Sequence, residues 1–530
     1  MAQPSVIYNE KERIWSGPQQ KSLYNDDTSV GEVVFDNMRN WPKNVCQIND
    51  SDGVTLTYEK ALNWAIRIAQ SFKSRGLTHK DVIGIVAQNS TYLFPLAVAC
   101  LLNGTPFHSP HLVLDEDTTR NIFSVTKPKL IFCDGKVYEK TRAATIEWQP
   151  EIITITDHMN GVPSIESLLE PTSTERFYQP ESLKEGGQQT AVIICSSGTT
   201  GPPKSACISN QRLLKAGQTN SETVLFNISA LDWLSGIHMF LSTALRGSTR
   251  IISNSPFEPH HIAHLTEKYS INTFFLQQQH FSILTACPTI SPDAFSTVRI
   301  LIFGGGRLTP SKWQQGQELF KNAILTNAYA LTESGNIARA FGIQSRLAAG
   351  EPVPGVKIRI VDENGQNLEH NQVGEIFAHT GMIWKGYFGN PEETARMQDS
   401  DGWFHTGDLG YFDDQNLLYI VDRSKDTLKN QGIHYSPAEI ENIISELEDV
   451  REVCVVGIYD EQSGYLAGAL IVKREGSSLT AKDVIDHVAK RIPSDYKHLH
   501  AGVRFTDEIP ANHNGKTLRK AALEKFKSIK

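Results

Sequence analysis

Short apolar runs rich in valine and isoleucine alternate with helix-like segments for roughly the first four hundred residues. The clearest runs are 82–87, 130–133, 191–195, 250–252 and 299–303. Strand-length apolar runs separated by helical spacing predict α/β units built on parallel strands. Between 355 and 387 the pattern changes to short strands divided by Asn-Gly and Gly-Glu turns, which predicts a more antiparallel β region. No internal repeat or low-complexity stretch interrupts this order.

After Ile420-Val-Asp-Arg423 comes the charged, apolar-poor stretch SKDTLKNQG, and a domain boundary is expected there, dividing the chain into 1–422 and 423–530. Ser436-Pro437-Ala438-Glu439 reads as a helix start with a serine cap, an early proline and a glutamate placed for a capping box. Ile440, Ile443, Ile444 and Leu447 then share one face. Strand-like segments 453–458 and 465–473 follow, and a helix capped by Thr480 and Asp483 is expected to bury Val484, Ile485 and Val488. The expected fold is α/β: a large N-terminal domain with mixed and parallel sheets flanked by helices and a β region. A small α+β domain completes it.

Composition narrows the function classes. The 530 residues exceed one ordinary core, and 40% hydrophobic with 21% charged residues is a soluble globular balance. A formal net charge of −8 argues against a nucleic-acid surface. The longest apolar run, 93–102, contains Pro95 and falls short of the roughly 18 residues a membrane span needs. The start lacks the apolar core of a signal peptide. Seven cysteines (Cys46, Cys100, Cys133, Cys195, Cys207, Cys287, Cys454) contain no CxxC pair and read as buried free thiols in a reducing compartment. An intracellular, cytoplasmic protein is expected. A peroxisomal address matches the C-terminal Ser528-Ile529-Lys530 only at the serine.

The most informative stretch runs from Ala191 to Lys204. An apolar strand enters Ser196-Ser197-Gly198-Thr199-Thr200-Gly201-Pro202-Pro203-Lys204, with two glycines, four hydroxyls and a lysine. Glycines let backbone amides approach an anion, hydroxyls donate hydrogen bonds and lysine supplies charge, a combination suited to polyphosphate. Such composition also suits a polar surface turn, and the Walker spacing is absent.

SSGTTGPPK resembles the signature loop of the adenylate-forming (AMP-binding) enzymes: acyl-CoA synthetases, 4-coumarate-CoA ligases and beetle luciferases. The chain then offers, in the same order, Tyr329-Ala-Leu-Thr-Glu333, Gly374-Glu-Ile, Lys385-Gly-Tyr387, Gly402-Trp-Phe-His-Thr-Gly-Asp408, Ile420-Val-Asp-Arg-Ser-Lys425 and Gly515-Lys516. The ordered set is specific where each member alone is weak. It implies ATP, Mg²⁺ and coenzyme A as cofactors and a carboxylic acid as the small-molecule partner, without nucleic acid or membrane span. The sequence leaves the oligomeric state open.

The resemblance also implies roles. Ser196, Ser197, Gly198, Thr199, Thr200, Gly201 and Lys204 belong to the phosphate loop, with Thr199, Thr200 and Lys204 on the β- and γ-phosphates. Thr332 and Glu333 match the α-phosphate and Mg²⁺ positions, with Thr200 as a second metal contact; a hard cation needs only one or two protein carboxylates. Asn327, Ala328 and Tyr329 fall at the adenine, where Tyr329 either stacks or belongs to the core. Gly304-Gly305-Gly306 allows close ligand approach. Asp408 matches the ribose carboxylate, Arg423 a second ribose contact and Lys425 the hinge. Lys516 matches the lysine of acid activation, and Lys429, near Gly432, the face presented for thioester formation.

One segment departs from the pattern. Where the family carries a His or His-His before a glycine, Leu231-Asp-Trp-Leu-Ser-Gly-Ile-His-Met-Phe240 has Leu234 and Ser235, which counts against luciferase activity. His238 lies three residues further on. Trp233, Ser235, Gly236, Ile237 and Ala330 are expected around the acyl group. The favoured expectation is an acyl-CoA synthetase acting on a fatty acid. A luciferase-like or 4-coumarate-type ligase on an aromatic acid, a carrier-loading module and a ligand-binding pseudoenzyme remain alternatives.

Overall fold

The computed structural model describes residues 6–19, 23–196, 203–215, 219–305, 310–341, 348–362, 364–423, 428–431, 433–435, 437–510 and 519–529. Of the expected site residues, Ser197, Gly198, Thr199, Thr200, Gly201, Gly306, Lys425 and Lys516 lie outside this set, as does the Arg423 side chain. The chain packs as two compact units, with the bulk of the first ending at Asp422 and most of the second running from Arg423 onward.

Among the described residues the first unit holds three sheets. A nine-stranded sheet has a parallel centre in which Val45–Asn49, Thr249–Ile252, Val224–Asn227, Thr273–Gln277, Ile300–Gly304 and Ile324–Leu331 run side by side. Its two margins are antiparallel. A six-stranded sheet pairs Glu151–Thr154, Leu130–Cys133, Ile83–Val86, Phe107–Ser109 and Thr190–Ser196 in parallel, with Lys204–Ser209 antiparallel at one edge. The region expected to be antiparallel is the third sheet, containing Lys357–Val361, Gly374–His379 and Phe404–Phe412.

The run at 93–102 forms the helix Leu93–Asn103, buried at every position, so its continuous hydrophobicity reflects a core location. No helix among the described residues is long and apolar enough to cross a membrane. Cys195 and Cys287 are half-buried, which corrects the expectation of seven buried thiols; all seven are free.

The second unit is a five-stranded sheet with helices Pro437–Ile444, Ala481–Arg491 and Arg519–Ser528. Segments expected as strands lie within Val450–Asp460 and Gly464–Lys473, which pair antiparallel along their length. Thr480 and Asp483 close a reciprocal capping box, and Val484 and Val488 are buried beneath it. Ile485 is only partly buried, so the apolar face is narrower than expected. The Leu428–Asn430 strand shows that the tail of the apolar-poor stretch already belongs to this unit.

Two buried aromatics tie distant segments of the first unit. Trp15 is fully enclosed, stacks on Phe412 with ring centroids 4.2 Å apart, and donates its indole N–H to Asn416 Oδ1 at 2.9 Å. Trp15→Ala is expected to cost the first unit about 3–5 kcal/mol in urea unfolding. Tyr58, also enclosed, donates its hydroxyl toward the carbonyls of Thr243 at 2.8 Å and Ser248 at 2.7 Å. Burial pushes this hydroxyl well above its ordinary value. A folded-state value raised above the unfolded one, near pH 10, gives stability that is present below that pH and lost as pH rises through the folded value. Tyr58→Phe is therefore expected to flatten the alkaline limb of stability above about pH 10, read by denaturant midpoints at several pH values.

Candidate functional site

The polar groups of the first unit gather where strands end. Thr190–Ser196 leads into the glycine-rich loop, and Lys204–Ser209 returns antiparallel with Lys204 opposite Ser196. The segment 384–388 lies along the returning strand: Trp384 Nε1 donates to the Cys207 carbonyl at 3.0 Å, Cys207 N to Gly386 O at 3.0 Å, and Phe388 N to Ser205 O at 2.8 Å. Gly386 has φ +84°, and a Cβ there would stand 2.4 Å from the Thr394 side chain, so only glycine lets this segment turn. That turn sets Tyr387 beside Ser196.

Tyr387 is 6% exposed and donates its hydroxyl to Glu333 Oε1 at 2.6 Å. Burial, then the Glu333 charge, pushes the tyrosine hydroxyl far up, so it remains a donor. Glu333 is 8% exposed, in the turn joining Ile324–Leu331 to Gly335–Arg339. Among the described residues, its Oε1 alone is engaged by a side-chain donor.

The backbone of this turn is held from the other side. Arg212 donates to the carbonyl of Glu333 at 2.6 Å and of Thr332 at 2.7 Å. It sits on the helix Asn210–Leu214, capped by Ser209 and tied down by Asn210, whose Nδ2 donates to Gln189 O at 2.9 Å. Burial lowers the Arg212 guanidinium to about 10, partly opposed by Glu333, so it stays charged at neutral pH. That charge, after burial, contributes to lowering the His238 imidazole to about 4. His238 is thus neutral near pH 7.

Lys204 forms an ion pair with Glu393 and stands over the Tyr387 ring, 5.3 Å from its centroid. Glu393 lies in the helix Pro391–Met397, whose Asn390 cap accepts from Glu393 N. The hydrogen bond from Lys204 holds the Glu393 carboxyl below the usual range, with Arg396 adding to the effect.

A second group forms at the neighbouring strand. Tyr329, 8% exposed, donates to Asp408 Oδ2 at 2.7 Å, and Asp408 is 4% exposed. The strand pairing shifts register between Tyr329 and Ala330, a bulge that re-aims side chains. The Tyr329 ring packs with core residues Ile337 and Ala338. Asn327 is held through Nδ2 by the Ala348 carbonyl at 3.2 Å. Gly304 pairs with Ala328, and a Cβ on it would meet the Ala328 carbonyl at 3.1 Å, while Gly305 has φ +79°. Gly304 thus keeps the strand end close-packed, and Gly305 permits the left-handed backbone at its own position.

The structure brings together Ser196, Lys204, Glu333, Tyr329 and Asp408 in these groups, with Thr332 held by its carbonyl. Of the residues expected around the acyl group, Ile237 is fully enclosed in the main core, and a Cβ on Gly236 would stand 1.6 Å from the Ala230 carbonyl. Both therefore serve packing, while Trp233, Ser235 and Ala330 remain half-buried. Lys429 is half-buried in the second unit, opposite His434. Arg212 and Glu393 stand outside every motif and carry no sequence signal, while the Lys385-Gly-Tyr387 motif contains Tyr387 without showing its role.

Comparison with known proteins identifies the family. The model of the AMP-binding enzyme family matches residues 34–388, and that of the AMP-binding enzyme C-terminal domain matches 439–516. Luciferin 4-monooxygenase of Photinus pyralis is 26% identical over 93% of this chain and 93% of its own. 4-Coumarate–CoA ligase 1 of Arabidopsis thaliana is 27% identical over 93% of this chain and 91% of its own. The amide bond synthetase of Marinactinospora thermotolerans shares the fold, with a TM-score of 0.79, 21% identity, and coverage of 94% of this chain and 100% of that one. With both parts matched in order, the chain belongs to the AMP-binding, adenylate-forming enzyme family.

Proposed function

We propose that this protein joins a carboxylic acid to the thiol of coenzyme A, using ATP through an enzyme-bound acyl-adenylate. The observation that carries this reading is the buried Glu333 carboxylate, held by Tyr387 on one oxygen, in a turn whose backbone Arg212 fixes. The ligase names among the relatives support coenzyme A as acceptor.

In the first half-reaction a carboxylate oxygen of the acid attacks the α-phosphorus of ATP, and pyrophosphate leaves. Ser196, Thr199, Thr200 and Lys204 bind the outgoing phosphates, and Thr332 donates to the α-phosphate. Asp408, steadied by Tyr329, accepts from the ribose hydroxyls in a charge-assisted pair. Lys516 supplies positive charge where carboxylate and phosphate meet. The donor set of Glu333 and Thr200 fits Mg²⁺, which takes oxygen ligands and few protein carboxylates; bound there, it would neutralise phosphate charge. In the second half-reaction the thiolate attacks the acyl carbon and AMP leaves. A rotation of the C-terminal domain about Lys425 exchanges Lys516 for the Lys429 face. The half-buried Trp233 ring and the small Ala330 side chain support an acyl group that is apolar over most of its length, fatty or aromatic.

ATP–pyrophosphate exchange across fatty and aromatic acids tests the reading, and a complete lack of acid-dependent exchange would refute it. Lys516→Ala is expected to abolish exchange while sparing thioester formation from a supplied adenylate; equal loss of both would refute the domain rotation. Arg212 is read as a positioning residue. Arg212→Met removes two charge-assisted bonds from the turn and should lower kcat for exchange on the order of 100-fold, about 2.7 kcal/mol. Arg212→Lys, still charged but unable to fork, should recover part of that loss and shift the Mg²⁺ dependence, which a merely structural role would not do.

A further inference from the structure

The carboxyl ends of Val224–Asn227, Thr273–Gln277, Ile300–Gly304 and Ile324–Leu331 share one edge of the nine-stranded sheet. Ligands of parallel sheets bind along such an edge. The segments leaving it carry Gly305, Glu333 and, after Asn227, Asp232. The first two are accounted for by the nucleotide. Asp232 is not.

Its side chain is 7% exposed, with Oδ2 3.5 Å from His111 Nε2. Oδ1 is enclosed and has no hydrogen-bond partner among the described residues. Burial pushes the carboxyl above its ordinary range, and His111, with the residue's own amide, restores only part of the loss. Folded proteins rarely leave a buried carboxylate oxygen without a donor, because water would have supplied two or more.

The segment is not free to turn Asp232 away. Asn89 Nδ2 donates to the carbonyls of Ile228 at 3.1 Å and Ser229 at 3.3 Å. Ser229 N donates to Asn227 Oδ1 at 3.2 Å, and Ser235 Oγ donates to Ser229 Oγ at 2.9 Å. Beyond Asp232, the close contact of Gly236 with the Ala230 carbonyl locks the start of the helix Leu234–Arg246. The edge of the His111 ring meets Trp233, 6.2 Å between centroids. Asp232 also lies within electrostatic reach of Cys195, one residue before Ser196 at the strand end that enters the phosphate loop. The carboxylate thus stands on the segment that leaves the carboxyl end of the Val224–Asn227 strand, one residue before the half-buried Trp233 and within electrostatic reach of the strand that enters the phosphate loop.

We propose that Asp232 Oδ1 accepts a hydrogen bond from a hydroxyl or ammonium group on the acyl substrate, so that this protein selects acids carrying a donor over plain hydrocarbon ones. The inference rests on the adenylation reading and deepens it, because it assigns the substrate class and the residue that reads it. A site built around an unpaired acceptor penalises an isostere that lacks the donor, since binding then strands the carboxylate dry and unpaired.

The test is ATP–pyrophosphate exchange with matched pairs of acids. One set pairs ω-hydroxy and ω-amino acids of graded length with methyl-terminated isosteres; another pairs hydroxycinnamic acids with their O-methyl ethers. At least one donor-bearing acid is expected to exceed its partner by about 100-fold in kcat/KM. Asp232→Leu should invert that ratio, and Asp232→Asn, which keeps a neutral acceptor, should largely retain a hydroxyl preference and lose an ammonium one. An ATP-induced thermal shift equal to that of the unmodified protein shows that the variants are folded. Parity within every pair, or a ratio unmoved by Asp232→Leu, overturns the inference while leaving adenylation intact. Exchange with no acid at all overturns the adenylation reading and this inference together.

Discussion

A buried carboxylate held, among the described residues, by one side-chain donor is the constraint on which the candidate site of the first unit depends. Glu333 sits at the end of one sheet, and its partner Tyr387 is carried on a segment laid against the other. The tyrosine hydroxyl therefore joins two sheets through one short hydrogen bond. Because burial pushes that hydroxyl up, the donor does not itself titrate near neutral pH. Arg212 completes the arrangement by engaging the backbone of the turn rather than the carboxylate. Had the guanidinium paired with the side chain, any ligand of that carboxylate would have had to displace it. Donation to carbonyls instead lends positive charge nearby and leaves carboxylate oxygen for a ligand.

The same separation of roles explains what was legible in the sequence. Lys204, Glu333, Tyr329 and Asp408 stand in short motifs whose chemistry is local, and their order along the chain conveyed a common purpose. The capping box at Thr480 and Asp483 was legible for the same reason, since its partners are three residues apart. Arg212 and Glu393 were not. Arg212 meets a turn 121 residues away, and Glu393 meets a lysine 189 residues away; only the folding of strands onto one another makes either pair. The close packing of Gly236 and Ile237 is illegible for another reason. An apolar helix start next to a ligand edge and one buried in the core have the same residue types, and only packing against Ala230 and the core distinguishes them.

Asp232 shows a signal that sequence reading could have used. A carboxylate between Leu231 and Trp233, at the start of an apolar helix, breaks the hydrophobic pattern. What marks Asp232 in the structure is a largely buried side chain with one carboxylate oxygen that no neighbour among the described residues satisfies.

On the proposed reading, Lys204 and Glu393 complete the logic of a site that receives a polyanion. An ammonium group held alone at a partly buried strand start would carry a desolvation cost, and Glu393 offsets it in the absence of nucleotide. The pair is not fully enclosed, so the attraction within it is moderated by solvent and can be exchanged. A phosphate group offers more negative charge and more acceptor oxygens than one carboxylate, so exchange toward nucleotide is favourable. Glu393 keeps a second partner in Arg396 after such an exchange, which spares it from becoming an unpaired charge beside the phosphates. On the proposed reading, Lys204 is thereby held in position before ATP arrives, and little side-chain ordering remains to be done on binding.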